Sequence, residues 1–593
     1  WTSTCRQILR GIQKLGLTAK SGAKHLKPSV RRASTLTQVQ VIEGGNGERI
    51  FPSPYGDVSY SSMFVDEYVW KDFTDYPNHI ALECGVSGRK YTYSQARDAA
   101  NYIARSLINM GLKKDDVVAL IAPNYPETIL GFLGALEARL IVTTVNPYYT
   151  HDEIARQLKL SEAKAIITAA EISSVVMEAA RTGIPAGGPF IVIEDGTRSV
   201  PDGTIPFKDL ITRGKSLPSL QPSGMSLDDT AVLPYSSGTT GLPKGVMLSH
   251  KNLVRNMEML DKTGRNLFSK TSSGVQEVFP LFLPFFHIFG MNGVTLPRLA
   301  DGSHIITLPK FVPDDFVNVL ANHKVSALFC VPPIVLFLST AAKVKKPHIE
   351  HAHIAVSGAA PLSASDVQRF YEKFNLDESK FRFCQGYGLT ETSPVTFFER
   401  EGKKYSSIGK IVAGCEVRVV DPVTNEDVWT PGQTGELYVR GPHVMKGYRN
   451  NESATRETIV GDGWLKTGDI GYFDEEFDFF ITDRLKELIK VKGFQVPPAE
   501  LEALLRTHPG VQDAAVIGIP HERHGEVPKA FVVPKKDQNL KSEEVANFLK
   551  GKVSEYKELK GGVTFLDDIP RNPSGKIMRT QLKNEYLSKL KQS

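Results

Sequence analysis

Hydrophobic and polar positions follow two patterns along this chain. One is typical of amphipathic helices and the other of short buried strands. Between about residues 64 and 170 the pattern predicts a helix over 96–110, a strand over 116–122, a helix over 127–137 and a strand over 140–145. Helices that alternate with strands in this way indicate an α/β fold, in which helices are layered on a mostly parallel sheet.

The stretch Val278–Pro297 holds no Asp, Glu, Lys or Arg. Its prolines and glycines argue against a continuous membrane helix. Five phenylalanines surround His287, and two interpretations stay open. The stretch is either a buried strand and helix start with a core histidine, or the wall of an apolar pocket with His287 at its mouth. Val325–Ala342 is also uncharged, and two prolines divide it into strand, turn and helix.

Two later segments mark the organisation of the chain. Ile354–Leu362 predicts a strand and a turn of small residues, with a helix beginning at Ser363. After Leu485 the pattern changes to short helices and strands with many basic residues, so we place a domain boundary near Lys486. The predicted parts are a segment 1–42, a large domain 43–485 and a small α+β domain 486–593.

Charge is uneven along the chain, although the net charge of +5 is small for 593 residues. Residues 1–42 contain eight Lys or Arg and no Asp or Glu, and their apolar residues recur at helical spacing. This composition is typical of a mitochondrial transit peptide. The alternatives are a disordered basic tail and a peroxisomal or cytoplasmic location. The tripeptide Ser588-Lys589-Leu590 is not terminal, and a peroxisomal signal must be terminal.

Composition excludes several classes of protein. With 41% apolar and 23% charged residues the chain is typical of a soluble globular protein. Without the eight basic residues of 1–42 the rest of the chain has a net charge near −3, that is +5 minus 8, which does not predict the basic face of a nucleic-acid-binding protein. Its five cysteines have no paired spacing, which argues against a disulfide framework or a zinc site.

The stretch Tyr235–Gly245 is rich in glycine and hydroxyl residues and follows a predicted strand over 230–234. Glycines allow backbone N–H groups to approach an anion, hydroxyls add donors and a lysine adds a positive charge. It is not a Walker A loop, because Lys244 follows Pro243 and precedes Gly245. We expect a phosphate-binding loop rather than a flexible surface loop, with these residues as its donors: Ser236, Ser237, Gly238, Thr239, Thr240, Gly241 and Lys244.

A second motif runs from Gln385 to Glu391 and combines an aromatic ring, hydroxyls and a carboxylate. It lacks the third glycine of the dinucleotide fingerprint, so it does not predict a Rossmann site. Tyr387 could stack on a base, Thr390 could bind a phosphate, and Glu391 could hold Mg²⁺, which prefers oxygen ligands. Further along, Asp469 and Arg484 are candidates for ribose hydroxyls.

Together with Lys576, which lies in a loop between Gly575 and an apolar residue, these stretches resemble the adenylate-forming acyl-CoA synthetase superfamily. The resemblance runs from about residue 50 to 585 and is nearest to the branch of plant 4-coumarate–CoA ligases and firefly luciferases. It implies a large N-terminal domain of layered α/β structure and a small mobile C-terminal domain. The implied reaction uses ATP, Mg²⁺ and coenzyme A: a carboxylic acid becomes an acyl-adenylate with release of pyrophosphate, and CoA then displaces AMP.

The resemblance also implies roles for single residues. The glycine-rich loop would hold the β- and γ-phosphates, and Thr390 and Glu391 would serve phosphate and Mg²⁺. Lys576 would bridge the carboxylate and the α-phosphate. The implied nucleotide contacts are Gln385, Gly386, Tyr387, Gly388, Asp469, Arg484 and Gln495. Lys490 would be a catalytic residue of the C-terminal domain, Lys486 the hinge, and Lys492 and Gly493 would lie by the path of CoA.

The pocket for the acid is also implied by the resemblance. Its positions are His287, which would also be catalytic, with Phe289, Ser357, Gly358, Ala359, Gly386, Pro394 and Val395. Phe289 stands where the plant enzymes have a tyrosine, so the pocket favours a medium- or long-chain fatty acid, with arylpropenoic acids second.

Other functions stay open at this point. Luciferases carry His-His-Gly-Phe where this chain has 286–289 Phe-His-Ile-Phe, which argues against a luciferase-like oxygenase. An enzyme that loads a carrier protein and a binding scaffold without activity are two further alternatives. The oligomeric state is not determined by the sequence.

Overall fold

The structure is a computed structural model. It describes residues 41–592, except 45–46, 185–187, 197, 221–223, 237–242, 273, 486, 492–493, 522, 537, 539, 551 and 573–574. All but the last two residues of the predicted targeting segment lie outside this range. None of the described helices is both long and apolar enough to cross a lipid bilayer.

Helices and strands alternate through most of the chain. The helices are α1 Val65–Trp70, α2 Tyr93–Asn109, α3 Pro126–Glu137, α4 His151–Ser161, α5 Ser173–Gly183, α6 Phe207–Lys215, α7 His250–Thr263, α8 Leu296–Ala300, α9 Pro313–Asn322, α10 Pro332–Thr340, α11 Ala364–Phe374, α12 Glu452–Thr458, α13 Pro498–Arg506, α14 Ser542–Phe548 and α15 Arg579–Gln592.

The strands are β1 Ile42–Glu43, β2 Arg49–Pro52, β3 Ile80–Cys84, β4 Lys90–Thr92, β5 Val117–Ile121, β6 Ile141–Thr144, β7 Ala163–Ala169, β8 Phe190–Ile193, β9 Ile205–Pro206, β10 Thr230–Val232, β11 Tyr235–Ser236, β12 Lys244–Ser249, β13 Val278–Leu281, β14 His304–Thr307, β15 Ala327–Cys330, β16 Ile354–Ser357, β17 Arg382–Gly388, β18 Val395–Glu399, β19 Lys410–Ile411, β20 Glu416–Val420, β21 Gly435–Arg440, β22 Gly447–Tyr448, β23 Ile459–Val460, β24 Trp464–Phe473, β25 Phe479–Arg484, β26 Ile489–Val491, β27 Phe494–Val496, β28 Val511–His521, β29 Gly525–Pro534 and β30 Val563–Phe565.

The α/β class predicted from the sequence is confirmed. The largest sheet has the order β11-β12-β10-β6-β5-β7-β8-β9, with β22 on β12. Its strands from β10 to β9 are parallel, which buries them on both faces. The four elements predicted between residues 96 and 145 are all present, as α2, β5, α3 and β6, with ends displaced by a few residues at most.

A second sheet brings the reactive motifs to one edge. It has the order β15-β16-β17-β18-β19, and its first three strands are parallel. The carboxyl ends of parallel strands share an edge, where α/β proteins commonly bind their ligands. The predicted strands over 325–342 and 354–362 are therefore neighbours, and the motif that ends β17 lies beside them.

Two details differ from the sequence prediction. The segment 381–392 repeats the pattern of Ile354–Leu362 and so predicts a helix after its turn, but the chain after β17 makes one 3₁₀ turn over Thr390–Thr392 instead. The uncharged stretch Val278–Pro297 contains the expected strand, β13, but its helical part over Phe289–Thr295 is a π-helix that continues into α8. Such π-helical turns often mark functional sites.

The C-terminal part of the chain has a hydrophobic core of its own. The strands β26 to β30 form one sheet in the order β27-β26-β29-β28, with β30 on β29. Its core residues run from Ile489 to Leu559, whereas the main core runs from Phe51 to Phe479. An antiparallel sheet of seven strands, which includes β20, β21, β24 and β25, precedes it.

Candidate active site

The motif over Gln385–Glu391 is held at the end of β17 by a close backbone contact. A β-carbon at Gly388 would lie 1.8 Å from the carbonyl oxygen of Pro394, so no other residue fits there. This contact folds the chain back on itself, and β18 begins at Val395. Tyr387 and Glu391 are thereby presented at the edge of the sheet.

Three residues predicted to bind the nucleoside lie together although they are distant in sequence. The hydroxyl of Tyr387 donates to Asp469 Oδ2 at 2.5 Å, and Arg484 Nε lies 3.3 Å from Asp469 Oδ1. Asp469 and Arg484 are register partners on β24 and β25. Burial, and then the charge of Asp469, raise the pKa of Tyr387, so the phenol stays a donor. The group offers an aromatic face beside a carboxylate and a guanidinium.

Glu391 is the centre of a second cluster. Its Oε1 accepts hydrogen bonds from Ser236 Oγ at 3.1 Å and from the Tyr448 hydroxyl at 3.0 Å. The Lys244 Nζ lies over the ring of Tyr448, 4.9 Å from its centroid. Carboxylate, hydroxyl and ammonium groups therefore meet at one place, as a site for metal-bound phosphates requires.

The predicted phosphate loop joins two paired strands. Ser236 and Lys244 are register partners on β11 and β12, so the ends of the loop are fixed next to Glu391. Its residues Ser237, Gly238, Thr239, Thr240 and Gly241 lie outside the described residues. Their assignment to phosphate stays a prediction that is supported by the position of the two ends.

Lys576 reaches this region from the C-terminal part of the chain. Asn572 and Lys576 exchange hydrogen bonds across a tight turn, in which Gly575 has φ +81°. A β-carbon at Gly575 would lie 3.2 Å from Val331, at the start of α10. Burial, and then the charge of Arg484, lower the pKa of Lys576 to about 8. Asp469 and Glu391 act electrostatically in the opposite direction, so the lysine faces both clusters.

His287 also belongs to this region. Its Nδ1 accepts the backbone N–H of Phe289 at 3.2 Å, which fixes the ring at the start of the π-helix. Burial, and then the charge of Lys576, lower its pKa to about 4. The imidazole is therefore neutral at physiological pH and lies within electrostatic reach of Lys576. Its place at the mouth of the pocket stays a prediction.

A cavity of about 580 Å³ extends from the reactive edge into the large domain. Its lining includes four of the predicted pocket residues: Phe289, Gly386, Pro394 and Val395. Gly358 lies against it, because a β-carbon there would be 3.3 Å from the Phe289 ring. The predicted pocket is thus brought together from three separate segments of the chain.

Four other predicted site residues do not line the cavity. Ser357 ends β16 and is fully buried, and Ala359 has φ +69° in the turn that follows. The side-chain amide of Gln385 donates to the carbonyl of Tyr405, so it is engaged within the protein. Thr390 begins the 3₁₀ turn next to Glu391.

The remaining predicted residues belong to the C-terminal part. Lys490 and Gln495 are register partners on β26 and β27. Lys490 is exposed, and its backbone N–H donates to Glu526 Oε2 at 3.1 Å. Lys486, Lys492 and Gly493 lie outside the described residues, so the hinge and the CoA path stay predictions.

The sequence analysis missed several residues that shape the site. Tyr448 is one of them, since no motif surrounds it. Asn256 is another: its amide exchanges two hydrogen bonds with the backbone of Val395, which fixes the cavity wall. Asn292 donates to the carbonyl of Ser393 at 2.6 Å and holds the same loop from the π-helix. For Asn292 the signal would have been its helical spacing from Phe289, whereas no predicted pocket residue lies near Asn256 in the sequence.

Comparison with known proteins agrees with this geometry. Residues 69–449 match the family of AMP-binding enzymes, and residues 500–576 match the C-terminal domain of AMP-binding enzymes. The chain is 38% identical to 4-coumarate–CoA ligase 1 of Arabidopsis thaliana, over 94% of this chain and 99% of that protein. It is 35% identical to a probable 4-coumarate–CoA ligase 1 of Dictyostelium discoideum, over 91% and 98%.

Solved structures give the same result. ATP-bound MatB from Rhodopseudomonas palustris superposes with a TM-score of 0.77 at 28% identity, over 88% of this chain and 99% of that one. o-Succinylbenzoate CoA synthetase from Bacillus subtilis, with its acyl-adenylate, superposes with a TM-score of 0.72 at 26% identity, over 87% and 98%.

The chain belongs to the AMP-binding enzyme family, with a large N-terminal and a small C-terminal domain. Within that family it is an acid–thiol ligase, which activates a carboxylic acid through an acyl-adenylate and transfers the acyl group to CoA. Its reactants are the acid, ATP and CoA, and its metal is Mg²⁺. The expectation drawn from the resemblance is confirmed at this level.

Proposed function

We propose that this ligase activates medium- or long-chain fatty acids. The observation that carries the proposal is the size of the cavity and the set of segments that line it. Its lining includes Gly386 and Pro394 at the reactive edge, Gly293 on the π-helix, and Pro297 and Asp301 in and just after α8. A volume of about 580 Å³ is within the range of sites that enclose a sizeable organic ligand.

The lining of the cavity near the reactive edge supports an acyl chain. The rings of Phe289, Phe329 and Phe398 line the cavity, together with Val356 and Pro297. These side chains offer no hydrogen bond to a phenol. Apolar surface removed from water contributes about 25 cal/mol per Å², so each methylene of a chain placed there strengthens binding.

We further propose that one polar cluster binds the nucleoside and another binds the reacting groups during adenylation. Tyr387, Asp469 and Arg484 bind the nucleoside, and Lys576 lies between the carboxylate of the acid and the α-phosphate. Two anions repel each other, so a lysine placed between them stabilises the transition state more than the separated reactants. The two phosphates that leave would lie between Ser236 and Lys244.

Glu391 is the residue that would hold Mg²⁺. Its carboxylate and the hydroxyls around it are oxygen donors, and Mg²⁺ in nucleotide sites takes one or two carboxylates together with substrate phosphates. The metal supplies charge neutralisation at the phosphates. Tyr448 and Ser236 orient the carboxylate through their hydrogen bonds.

A second candidate substrate is an arylpropenoic acid. The identity of 38% with a 4-coumarate–CoA ligase over almost the whole chain favours it. Phe289, where the resemblance predicts a tyrosine, argues against a phenol at the far end of the ring.

We also propose that residues 1–42 direct the enzyme to mitochondria, since they are basic and free of acidic residues. Fatty acid metabolism is the setting that this location and the cavity favour together.

The test measures pyrophosphate release by the full chain with ATP and Mg²⁺, with and without CoA. The acids are saturated fatty acids from acetic to hexadecanoic acid, together with cinnamic, coumaric and benzoic acids. We expect CoA-dependent turnover with a maximum at a medium or long chain. A maximum at a cinnamic acid would favour the second candidate, and no turnover with any acid would contradict the proposal.

A further inference from the structure

The end of the cavity that is remote from the reactive edge is charged. Five charged residues line it: Asp261 and Arg265 near the end of α7, Lys270, and Arg298 and Asp301 at the end of α8. We call this group the distal end. Asp261, Arg265 and Lys270 are exposed to solvent, Asp301 is half-buried and Arg298 is buried. A pocket that binds only hydrocarbon gains nothing from the charge of Arg298, because this buried group loses hydration there.

The distal end is separated from the reaction by most of one helical segment. Phe289 lies at the reactive side and Arg298 nine residues later, on the π-helix and α8 that follow one another. At 1.5 Å per residue this is a distance of up to about 13 Å along the axis. We therefore expect an acid that reaches Arg298 to have a medium or long chain.

Arg298 is buried and only partly satisfied. Its side chain is 9% exposed, its Nη2 lies 3.0 Å from Asp301 Oδ2, and its guanidinium lies 4.2 Å from the centroid of the Phe268 ring. Within the described residues its Nη1 has no hydrogen-bond partner. A guanidinium has five N–H donors, and a buried charged donor without an acceptor lowers stability.

The charges of the distal end do not cancel. Three residues are cationic and two anionic, so the group carries one positive charge in excess. Burial raises the pKa of Asp301 and opposes its negative charge, whereas Arg298 and the nearby lysines favour it. An oxygen group on the ligand would supply the acceptor that the buried Nη1 of Arg298 lacks within the described residues.

We propose that the acid activated by this enzyme carries an oxygen acceptor, either a hydroxyl or a second carboxylate, at the end remote from the reacting carboxyl group. Arg298 recognises that oxygen, and Asp301 holds the guanidinium in place. The ligand is thus an ω-oxygenated fatty acid. This inference rests on the proposed activation of fatty acids and names the kind of acid within that class.

The experiment compares acids of equal length that end in a methyl, a hydroxyl or a carboxylate group, in the octanoic, dodecanoic and hexadecanoic series. Two quantities are measured with the full chain: kcat/KM for CoA-dependent pyrophosphate release, and the Kd of each acid by calorimetry without CoA. We expect the best oxygen-ended acid to exceed its methyl-ended partner by about tenfold or more.

The variant Arg298→Met should reduce this preference by roughly ten- to hundredfold, because it removes the charged donor. Arg298→Lys, which keeps the charge, should retain part of it. Since Arg298→Met leaves Asp301 without its arginine, the double variant Arg298→Met/Asp301→Asn is measured as well. Melting temperatures show whether each variant is folded.

A matched control is available on α7. Arg255 lies 4.2 Å over the Tyr60 ring and 3.6 Å from Glu258, three residues later, in the same arrangement as Arg298 with Phe268 and Asp301. It does not line the cavity. Arg255→Met should therefore leave the preference between acids unchanged, although its stability is lowered in a similar way.

The outcomes separate this inference from the proposed function. A preference for the hydroxyl or for the carboxylate that falls in Arg298→Met supports the inference and identifies the oxygen group. Equal or better use of methyl-ended acids, or a preference that survives in Arg298→Met, overturns it while the activation of fatty acids stands. Absence of turnover with every acid contradicts the proposed function, and the Kd values then still show whether Arg298 selects oxygen-ended acids.

Discussion

Lys576 illustrates how the surroundings of one residue decide its chemistry. An exposed lysine stays charged far above physiological pH, whereas burial and Arg484 lower the pKa of this one to about 8. The residue is therefore close to losing its charge in the free enzyme. Bound anionic substrates would raise this pKa again. Binding of ATP and the acid would therefore keep Lys576 positively charged, which adenylation requires.

A pH dependence follows from this. Because the pKa is lowered, the free enzyme loses the positive charge of Lys576 above about pH 8, and kcat/KM for adenylation should fall by about tenfold per pH unit beyond that point. The measurement is pyrophosphate release between about pH 6 and 10. Lys576→Arg keeps its charge throughout, so its lower activity should not show this fall. A wild-type rate that rises through pH 8 would rule out a charged lysine.

Tyr448 gives a prediction that the motifs alone do not contain. Tyr448→Phe removes one of the two hydroxyls that hold Glu391, so the Mg²⁺ concentration needed for half-maximal adenylation should rise about tenfold or more. Titration of Mg²⁺ at saturating ATP measures it. Tyr438→Phe is the control, since Tyr438 also lies beneath a lysine, Lys466 at 5.8 Å, but in another sheet. An unchanged Mg²⁺ requirement in Tyr448→Phe would show that Ser236 alone orients the carboxylate.

At the scale of secondary-structure elements, the site forms where parallel strands end. β16 and β17 present Ser357 and Gly388 at one edge, and the hairpin of β11 and β12 presents Ser236 and Lys244 there. The C-terminal part adds Lys576 through a loop that meets the start of α10.

Two further contacts join the C-terminal part to the large part. Asp483 on β25 accepts the backbone N–H of Ala499 at the start of α13, and Arg506 lies 3.7 Å from Asp366 on α11.

The predicted hinge is tested at this scale. Proline fixes φ, so Lys486→Pro should stiffen the link before the C-terminal part. We expect adenylation to stay within about twofold of wild type, and transfer of the acyl group to CoA to fall about a hundredfold, because the second step needs the domain to move. Pyrophosphate release and thioester formation from supplied acyl-adenylate are measured separately, with Lys486→Ala as the control. Equal losses in both steps would remove the hinge role.

At the scale of the whole molecule, two hydrophobic cores share one active site. The core of the C-terminal part packs its own strands and helices. Polar contacts join it to the large part, among them the hydrogen bond of Ala499 with Asp483 and the ion pair of Arg506 with Asp366. Polar interfaces within a chain allow the parts to move relative to each other. A chain built in this way can close around a reactive adenylate and later present other groups to it.

The targeting proposal also belongs to the whole molecule. Residues 1–42 fused to a fluorescent protein should bring it to mitochondria, since a basic amphipathic segment is what the import machinery reads. The control replaces the eight basic residues by glutamine and should be diffuse. Diffuse fluorescence of the unaltered fusion would contradict the proposal.

The sequence by itself determined the α/β class, the family and the residue types of the adenylation site. Local patterns suffice for these conclusions. Apolar periodicity predicts α2, β5 and α3, and the glycines and hydroxyl residues next to Lys244 are of the types that bind phosphate. The sequence also identified Phe289 and Pro394 as pocket residues through resemblance to a family.

Only the tertiary structure decided which groups meet. Tyr448 and Glu391, or Asp469 and Tyr387, are far apart in sequence, and their hydrogen bonds depend on the order of strands in separate sheets. The distal end of the cavity is the clearest case. Arg298 follows an uncharged stretch and looks like an ordinary surface residue in the sequence. Packing of α7 against the π-helix and α8 buries it at the tip of the cavity, and long-range packing of this kind leaves no local periodicity to read.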